Sequence, residues 1–189
     1  MTEFIYQLRV EHKNSLALLD ILEKQITRID SGCSADFRIV AGITKFFNGF
    51  PDKYHHPKEE LLYEKQKKKD PTAFRMIEYI SEEHRVLKNK ISSLSEAIDS
   101  ALKDSRTSRR TFSRVAKGFI AFQREHIALE EGWFYPRIEH LFTSQDWSDV
   151  AGHIMDTSDP LVDASAVARF ERLRRTILEW AREDHFVSA

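Results

Sequence analysis

Apolar residues recur every three or four positions along four long stretches of the chain, which is the spacing of helices that bury one face. The stretches cover residues 3–29, 35–68, 70–102 and 108–140. In the first, the apolar stripe consists of Ile5, Leu8, His12, Leu16, Leu19 and Ile26. In the third, it consists of Phe74, Ile77, Ile80, His84, Leu87, Ile91, Leu94, Ile98 and Leu102. A histidine therefore stands inside each of these two stripes.

Glycine and proline predict where these helices begin, bend and end. Gly32 follows the first stripe and predicts a left-handed residue that stops the helix. Asp70 followed by Pro71 predicts a new helix start, because aspartate caps a helix and proline suits its first position. Pro51 and Pro57 interrupt the second stretch. We expect a kink or loosened turns around residues 50–57 without a full stop.

Four long amphipathic helices joined by short links predict an all-α protein with an up-down-up-down four-helix bundle. A shorter amphipathic stretch at residues 144–156 and another at 164–185 follow the bundle. We therefore expect a bundle over residues 1–142. A C-terminal extension of one or two helices over residues 143–189 is expected to pack on the same domain.

Composition narrows the class of protein. The chain has 189 residues, of which 41% are hydrophobic and 31% charged, with a formal net charge of -1. This balance predicts no nucleic-acid or membrane partner. Cys33 is the single cysteine, so neither an internal disulfide nor a cysteine metal site is expected. With no apolar leader at the N-terminus, we expect a cytoplasmic protein that is a monomer or a weak homodimer.

Candidate chemistry is concentrated in Tyr54–Tyr63, where two adjacent histidines precede two glutamates. Positions four apart share a helical face, so His55 and Glu59 point the same way. The same spacing recurs at His126 and Glu130. Imidazole nitrogen and carboxylate oxygen together suit iron, zinc or manganese.

Counting residues from each predicted turn places these side chains at one depth of the bundle. Glu59 and His84 lie about 11 and 14 residues from the turn at Asp70, and His84 and His126 lie about 22 and 20 residues from the turn at Arg106. At about 1.5 Å per residue, the mismatches amount to a few ångströms. The count brings six side chains together, with a looser fit for the first two: His12, His55, Glu59, His84, His126 and Glu130.

Two interpretations of this convergence remain. Each histidine can be a hydrogen-bonded core residue with no metal. Alternatively, metal ions compensate the buried carboxylates, whose burial otherwise costs several kcal/mol. Six protein ligands are more than one zinc takes, and they suit two metals roughly 3.5 Å apart with Glu59 and Glu130 as bridges.

These residues lie in four motifs: Glu11-His12, Tyr54–Tyr63, Glu83-His84 and Glu125–Pro136. Together the motifs resemble the hemerythrin family over about residues 1–140, specifically the bacterial hemerythrin-like proteins with the HHE cation-binding domain. The resemblance implies a non-haem di-iron centre with carboxylate and oxo or hydroxo bridges. It also implies the six residues above as the ligands.

Oxygen carriers of that family have a further histidine where this chain has Ile80. The resemblance therefore implies a site that is one imidazole short, with a position left for a small molecule. His56 is a candidate additional ligand. It can equally face outward or support a ligand from behind, and the sequence leaves both alternatives open.

Other polar residues flank the motifs. Glu11, Glu83 and Glu125 each precede a histidine and are rotated about 100° from it, so we expect them and Glu60 at helix flanks, where one could orient an imidazole. The flanking tyrosines are expected to pack in or near the core: Tyr54, Tyr63 and Tyr135.

The resemblance and the six-residue set predict a protein that binds or senses a small oxidant: dioxygen, nitric oxide or peroxide. One alternative is an enzyme with peroxidase-like, nitric oxide-reducing or iron-donating repair activity. The other is an iron-responsive interaction module that uses its C-terminal helices as the surface. The sequence does not decide whether the protein is an enzyme.

Overall fold

The computed structural model describes residues 3–102, 106–154 and 164–187. These residues form eight α-helices and no strand: α1 Glu3–Asp30, α2 Phe37–Phe47, α3 His56–Lys69, α4 Phe74–Leu102, α5 Arg106–Leu129, α6 Tyr135–Leu141, α7 Ser144–Ile154 and α8 Ala164–Val187. π-helical turns at Pro51–His55 and Glu130–Phe134 lead into α3 and α6, and a 3-10 turn at Pro71–Ala73 leads into α4. None of the described helices is long and apolar enough to cross a membrane.

The helices form a bundle of four limbs: α1, α2 with α3, α4, and α5 with α6. Both α1 and α4 pack against α5, while α2 packs against α1 and α4, and α3 also packs against α4. Each of these helices buries one stripe of apolar residues, which is the reason they associate. The prediction of an all-α four-helix bundle with C-terminal helices is confirmed.

Most of the predicted helix boundaries are confirmed. Gly32 has φ +76° just after α1, the left-handed conformation that glycine adopts without steric cost. Asp70 accepts a hydrogen bond from the Thr72 N–H at 3.1 Å and starts the chain toward α4. For one residue of the predicted apolar stripe, the prediction of burial was wrong. Phe74 is 51% exposed, because it begins α4 directly after the 3-10 turn, at the end of the bundle.

The predicted loosening of the second limb takes the form of a π-helical turn. The N–H of His56 donates to the carbonyl of Pro51, five residues back. A proline has no N–H for the usual helical hydrogen bond, so the turn around it widens. A second π-helical turn, not predicted, occurs just before Pro136, where the N–H of Tyr135 donates to the carbonyl of Glu130.

Two hydrophobic clusters fill the bundle and leave a polar layer between them. Leu8, Leu62 and Ile80 belong to one cluster, and Leu18 and Leu87 belong to the other. Each limb contributes residues to both clusters, and the buried histidines and glutamates lie between these residues in the sequence. The layer is therefore enclosed above and below by apolar side chains.

The C-terminal helix α8 lies along α2 and contacts α1. Its approach to this limb is close, because a Cβ built on Gly49, two residues beyond α2, would lie 2.5 Å from Cζ of Phe170. A polar contact adds to this packing, since the side chain of Gln25 donates to Asp184 at 2.8 Å. Helix α8 thus covers the outside of the limb that carries the paired histidines.

Candidate metal centre

Seven side chains from the four limbs meet in the polar layer and form two sets of metal-type donors. The first contains His12, His55, Glu59 and Glu130, and we call it the two-histidine set. The second contains His56, His84 and His126, and we call it the three-histidine set. Within each set, the donor atoms lie within 4.8 Å of one another, and all seven side chains are buried.

Each carboxylate of the layer turns one oxygen toward each set. Oε1 of Glu59 lies 3.3 Å from Nε2 of His55, while its Oε2 lies 3.5 Å from Nε2 of His84. Oε2 of Glu130 lies 3.2 Å from Nε2 of His12, while its Oε1 lies 3.5 Å from Nε2 of His84. Two carboxylates placed in this way can bridge two cations.

The donor atoms fit a metal because the protein alone leaves several of them without a partner. Glu59 and Glu130 are 0% exposed, and Oε2 of each has no hydrogen-bond partner. The same holds for Nε2 of His84 and of His126. Buried polar atoms are nearly always satisfied in native structures, and leaving them bare costs about 1–3 kcal/mol each. Cations between the two sets would satisfy all four atoms.

Each of the five imidazoles has a carboxylate oxygen beside its other nitrogen, Nδ1. The partners are Glu131 for His12 at 2.9 Å, Glu11 for His55 at 2.8 Å, Asp52 for His56 at 3.4 Å, Glu60 for His84 at 3.3 Å and Glu83 for His126 at 3.0 Å. Such a carboxylate holds the proton on Nδ1 and leaves Nε2 free to bind a metal. The orientation of all five rings is therefore set from outside the centre.

Sequence reasoning found only part of this outer ring of carboxylates. Glu11, Glu60 and Glu83 were expected at helix flanks, where one could orient an imidazole, and all three contact one. Asp52 and Glu131 were missed. Asp52 precedes its histidine by four residues, so helical spacing could have found it. Glu131 could not be found in that way, because it reaches across to α1.

His56 faces the centre and is not turned outward to solvent. It is 7% exposed, and its ring stacks on that of His84 with centroids 3.8 Å apart and planes 9° apart. The π-helical turn ends at His55, and it lets two consecutive histidines point inward. Ile80 is fully buried in the apolar cluster. His56 thus lies with His84 and His126 in one donor set, and it comes from a different helix than Ile80.

Two of the three flanking tyrosines do more than pack. The hydroxyl of Tyr63 donates to Oε1 of Glu130, and that of Tyr135 donates to Oε1 of Glu59, each at 2.5 Å. Burial, followed by the nearby carboxylates, raises the pKa of both phenols well above the usual value. Both therefore stay protonated near neutral pH and act as donors. Tyr54 packs in the core as expected.

The pattern of the hemerythrin HHE cation binding domain matches residues 3–138. The chain belongs to this family. The matched region contains all seven side chains of the two donor sets and all four limbs of the bundle except the last three residues of α6. Neither the comparison with curated proteins nor the comparison with solved structures found a match.

In this hemerythrin-type domain, individual imidazoles of the centre differ in charge when no metal is bound. Burial alone would lower the pKa of His12, but the neighbouring carboxylates of Glu130 and Glu131 outweigh it and raise the pKa to about 10. Burial and the neighbouring His84 lower the pKa of His56 to about 4. Near neutral pH, the metal-free centre thus holds a protonated imidazole at His12 and a neutral one at His56. His84 is also protonated, because the neighbouring carboxylates of Glu130 and Glu59 raise its pKa well above the usual value against the effect of burial.

Proposed function

We propose that this protein holds two non-haem iron ions and binds a small oxidant at them, namely dioxygen, nitric oxide or peroxide. One observation carries the proposal. Glu59 and Glu130 each present one oxygen to the two-histidine set and the other to the three-histidine set. Shared carboxylates of this kind hold two cations roughly 3.5–4 Å apart. An oxo or hydroxo bridge would complete the pair.

The choice of iron rests on the donor atoms. Two histidines with a carboxylate form the donor set typical of non-haem ferrous sites that keep positions open for small molecules. Two carboxylate-bridged irons inside a helical bundle are a known arrangement in other bundle proteins. Iron would supply redox cycling between its ferrous and ferric states. The protein would supply the geometry, the outer carboxylates and the apolar surroundings.

The two donor sets are unequal, and this inequality supports binding of a small molecule. The three-histidine set together with one oxygen from each of Glu59 and Glu130 offers five protein donors. His12 and His55 with one oxygen from each carboxylate offer four. A metal in the two-histidine set therefore keeps more of its positions free for an external ligand.

Anaerobic reconstitution with ferrous iron tests the proposal. We expect about two irons per chain, because the donors form two sets, and an optical spectrum that changes when dioxygen or nitric oxide is added. His84→Ala should lower the iron content, since His84 contacts both bridging carboxylates. His140→Ala is the matched control, because this exposed histidine on α6 lies outside both donor sets. Fewer than two irons in the unaltered protein would refute the proposal.

Turnover separates binding from catalysis. Peroxide is added to the loaded protein in a stoichiometric and then an excess amount, together with a reductant that supplies two electrons per peroxide. The assay shows whether one equivalent or many are consumed. A single equivalent agrees with binding or sensing. Steady consumption that disappears in His84→Ala, with His140→Ala unaffected, would assign a peroxidase-like activity to the same centre.

A further inference from the structure

The two tyrosine hydroxyls lie equally far from the carboxylate oxygens that accept from them, but those oxygens face different donor sets. Oε1 of Glu59, which accepts from Tyr135, is the oxygen turned toward His55. Oε1 of Glu130, which accepts from Tyr63, is instead the oxygen turned toward the three-histidine set. Each tyrosine therefore stands beside a different donor set, with Tyr135 at the one that keeps positions free.

Tyr135 has further contacts with the two-histidine set. Its ring stacks on the ring of His12 with centroids 5.4 Å apart and planes 17° apart. Its hydroxyl oxygen lies 3.5 Å from Nε2 of His12, in addition to 2.5 Å from Oε1 of Glu59. Both atoms belong to the two-histidine set. A molecule bound to a metal in this set would lie within reach of the phenol.

The centre offers few other hydrogen-bond donors. Carboxylates only accept, and each imidazole turns Nδ1 away toward the outer carboxylates. The O–H donors to the two donor sets, among the side chains that the structure describes in this layer, are thus the hydroxyls of Tyr63 and Tyr135. A phenol carries one proton, which it can redirect from a carboxylate to a new acceptor.

We propose that Tyr135 donates a hydrogen bond to the small molecule bound at the two-histidine set, and that this bond favours anionic oxidants such as hydroperoxide. This inference rests on the proposed function, because it requires a metal in that set. Tyr63 has no such role, since it faces the set with five protein donors. Tyr135 is then a residue that determines ligand affinity without binding the metal itself.

Azide is a suitable probe, because it is a small anion that binds ferric iron and accepts hydrogen bonds. Azide is titrated into the ferric forms of the unaltered protein, Tyr135→Phe and Tyr63→Phe, and iron content is measured in each. A hydrogen bond to a charged group corresponds to about 10- to 100-fold in affinity. We expect that loss in Tyr135→Phe and a loss below about threefold in Tyr63→Phe.

The two variants are matched, because each removes one hydroxyl and one 2.5 Å hydrogen bond to a bridging carboxylate. Equal weakening in both would mean that the tyrosines act through the carboxylates, and it would overturn the proposal. Unchanged affinity in Tyr135→Phe with full iron content would also overturn it. So would a visible phenolate-to-iron absorption band that Tyr135→Phe abolishes, because Tyr135 would then be a metal ligand.

An infrared measurement keeps the proposal testable if Tyr135→Phe holds less iron. The stretching vibration of bound azide should shift between H2O and D2O in the unaltered protein and in Tyr63→Phe. It should not shift in the loaded fraction of Tyr135→Phe, and a persistent shift there would refute the proposal. If the unaltered protein itself fails to hold iron, the proposed function fails instead, so the two failures are distinguishable.

Discussion

The carboxylate beside His126 gives a sharp quantitative prediction about metal affinity. Oε2 of Glu83 lies 3.0 Å from Nδ1 of His126, and the two residues are 8% and 1% exposed. A hydrogen bond to a charged group in such a buried setting is worth about 1.5–3 kcal/mol. Loss of an outer-sphere partner of a metal ligand typically weakens metal binding by about 10- to 100-fold, which corresponds to about 1.4–2.8 kcal/mol.

We therefore expect Glu83→Ala to weaken ferrous iron binding by about 10- to 100-fold. Glu83→Gln should have a smaller effect, because its amide oxygen still accepts from Nδ1 while the charge is lost. Anaerobic competition with a chelator of known affinity measures both variants. Glu125→Ala is the control, since Glu125 is an exposed carboxylate beside His126 on the same helix. An affinity of Glu83→Ala within twofold of that of Glu125→Ala would refute the reasoning.

Three further predictions concern the third imidazole, pH and the C-terminal helix. His56→Ala should lower iron content from about two toward one per chain by metal analysis, because it removes a donor from the three-histidine set alone. The metal-free protein should lose stability in chemical denaturation between pH 7 and pH 10. The pKa of His12 is raised to about 10 from 6.5, so its proton stabilises the fold below 6.5 and the benefit is lost as the pH rises toward 10. Iron affinity should change in the opposite direction, since ligand nitrogens must be free of protons. Gly49→Ala should lower the free energy of unfolding by about 1–3 kcal/mol, because its Cβ would lie 2.5 Å from Cζ of Phe170. Gly118→Ala should not, because no atom lies within 4 Å of its added Cβ.

A specific result would contradict each of these predictions. Retention of two irons in His56→Ala would remove His56 from the metal site. Stability of the metal-free protein that rises between pH 7 and pH 10 would contradict the charge assigned to His12. Equal stability of Gly49→Ala and Gly118→Ala would mean that α8 yields at no cost when the contact with Phe170 is crowded.

The sequence alone determined the bundle and the depth of the centre. Apolar spacing, Gly32 and the Asp70-Pro71 pair are local signals, and helical rise is constant enough to compare distances from a turn. Counting along the chain therefore predicts that His84 and His126 lie at one level of the bundle, and the fold places both in one donor set.

Tertiary structure decided which way the remaining polar groups turn. Rotation about a helix axis follows from a local pattern only while the helix is regular, and the π-helical turns at Pro51–His55 and Glu130–Phe134 break that regularity. The first turn brings His56 inward, and the second joins the N–H of Tyr135 to the carbonyl of Glu130. The chain beyond the second turn then carries the hydroxyl of Tyr135 to Glu59 on another limb. Contacts between limbs depend on how whole helices pack, so residue spacing within one helix does not predict them.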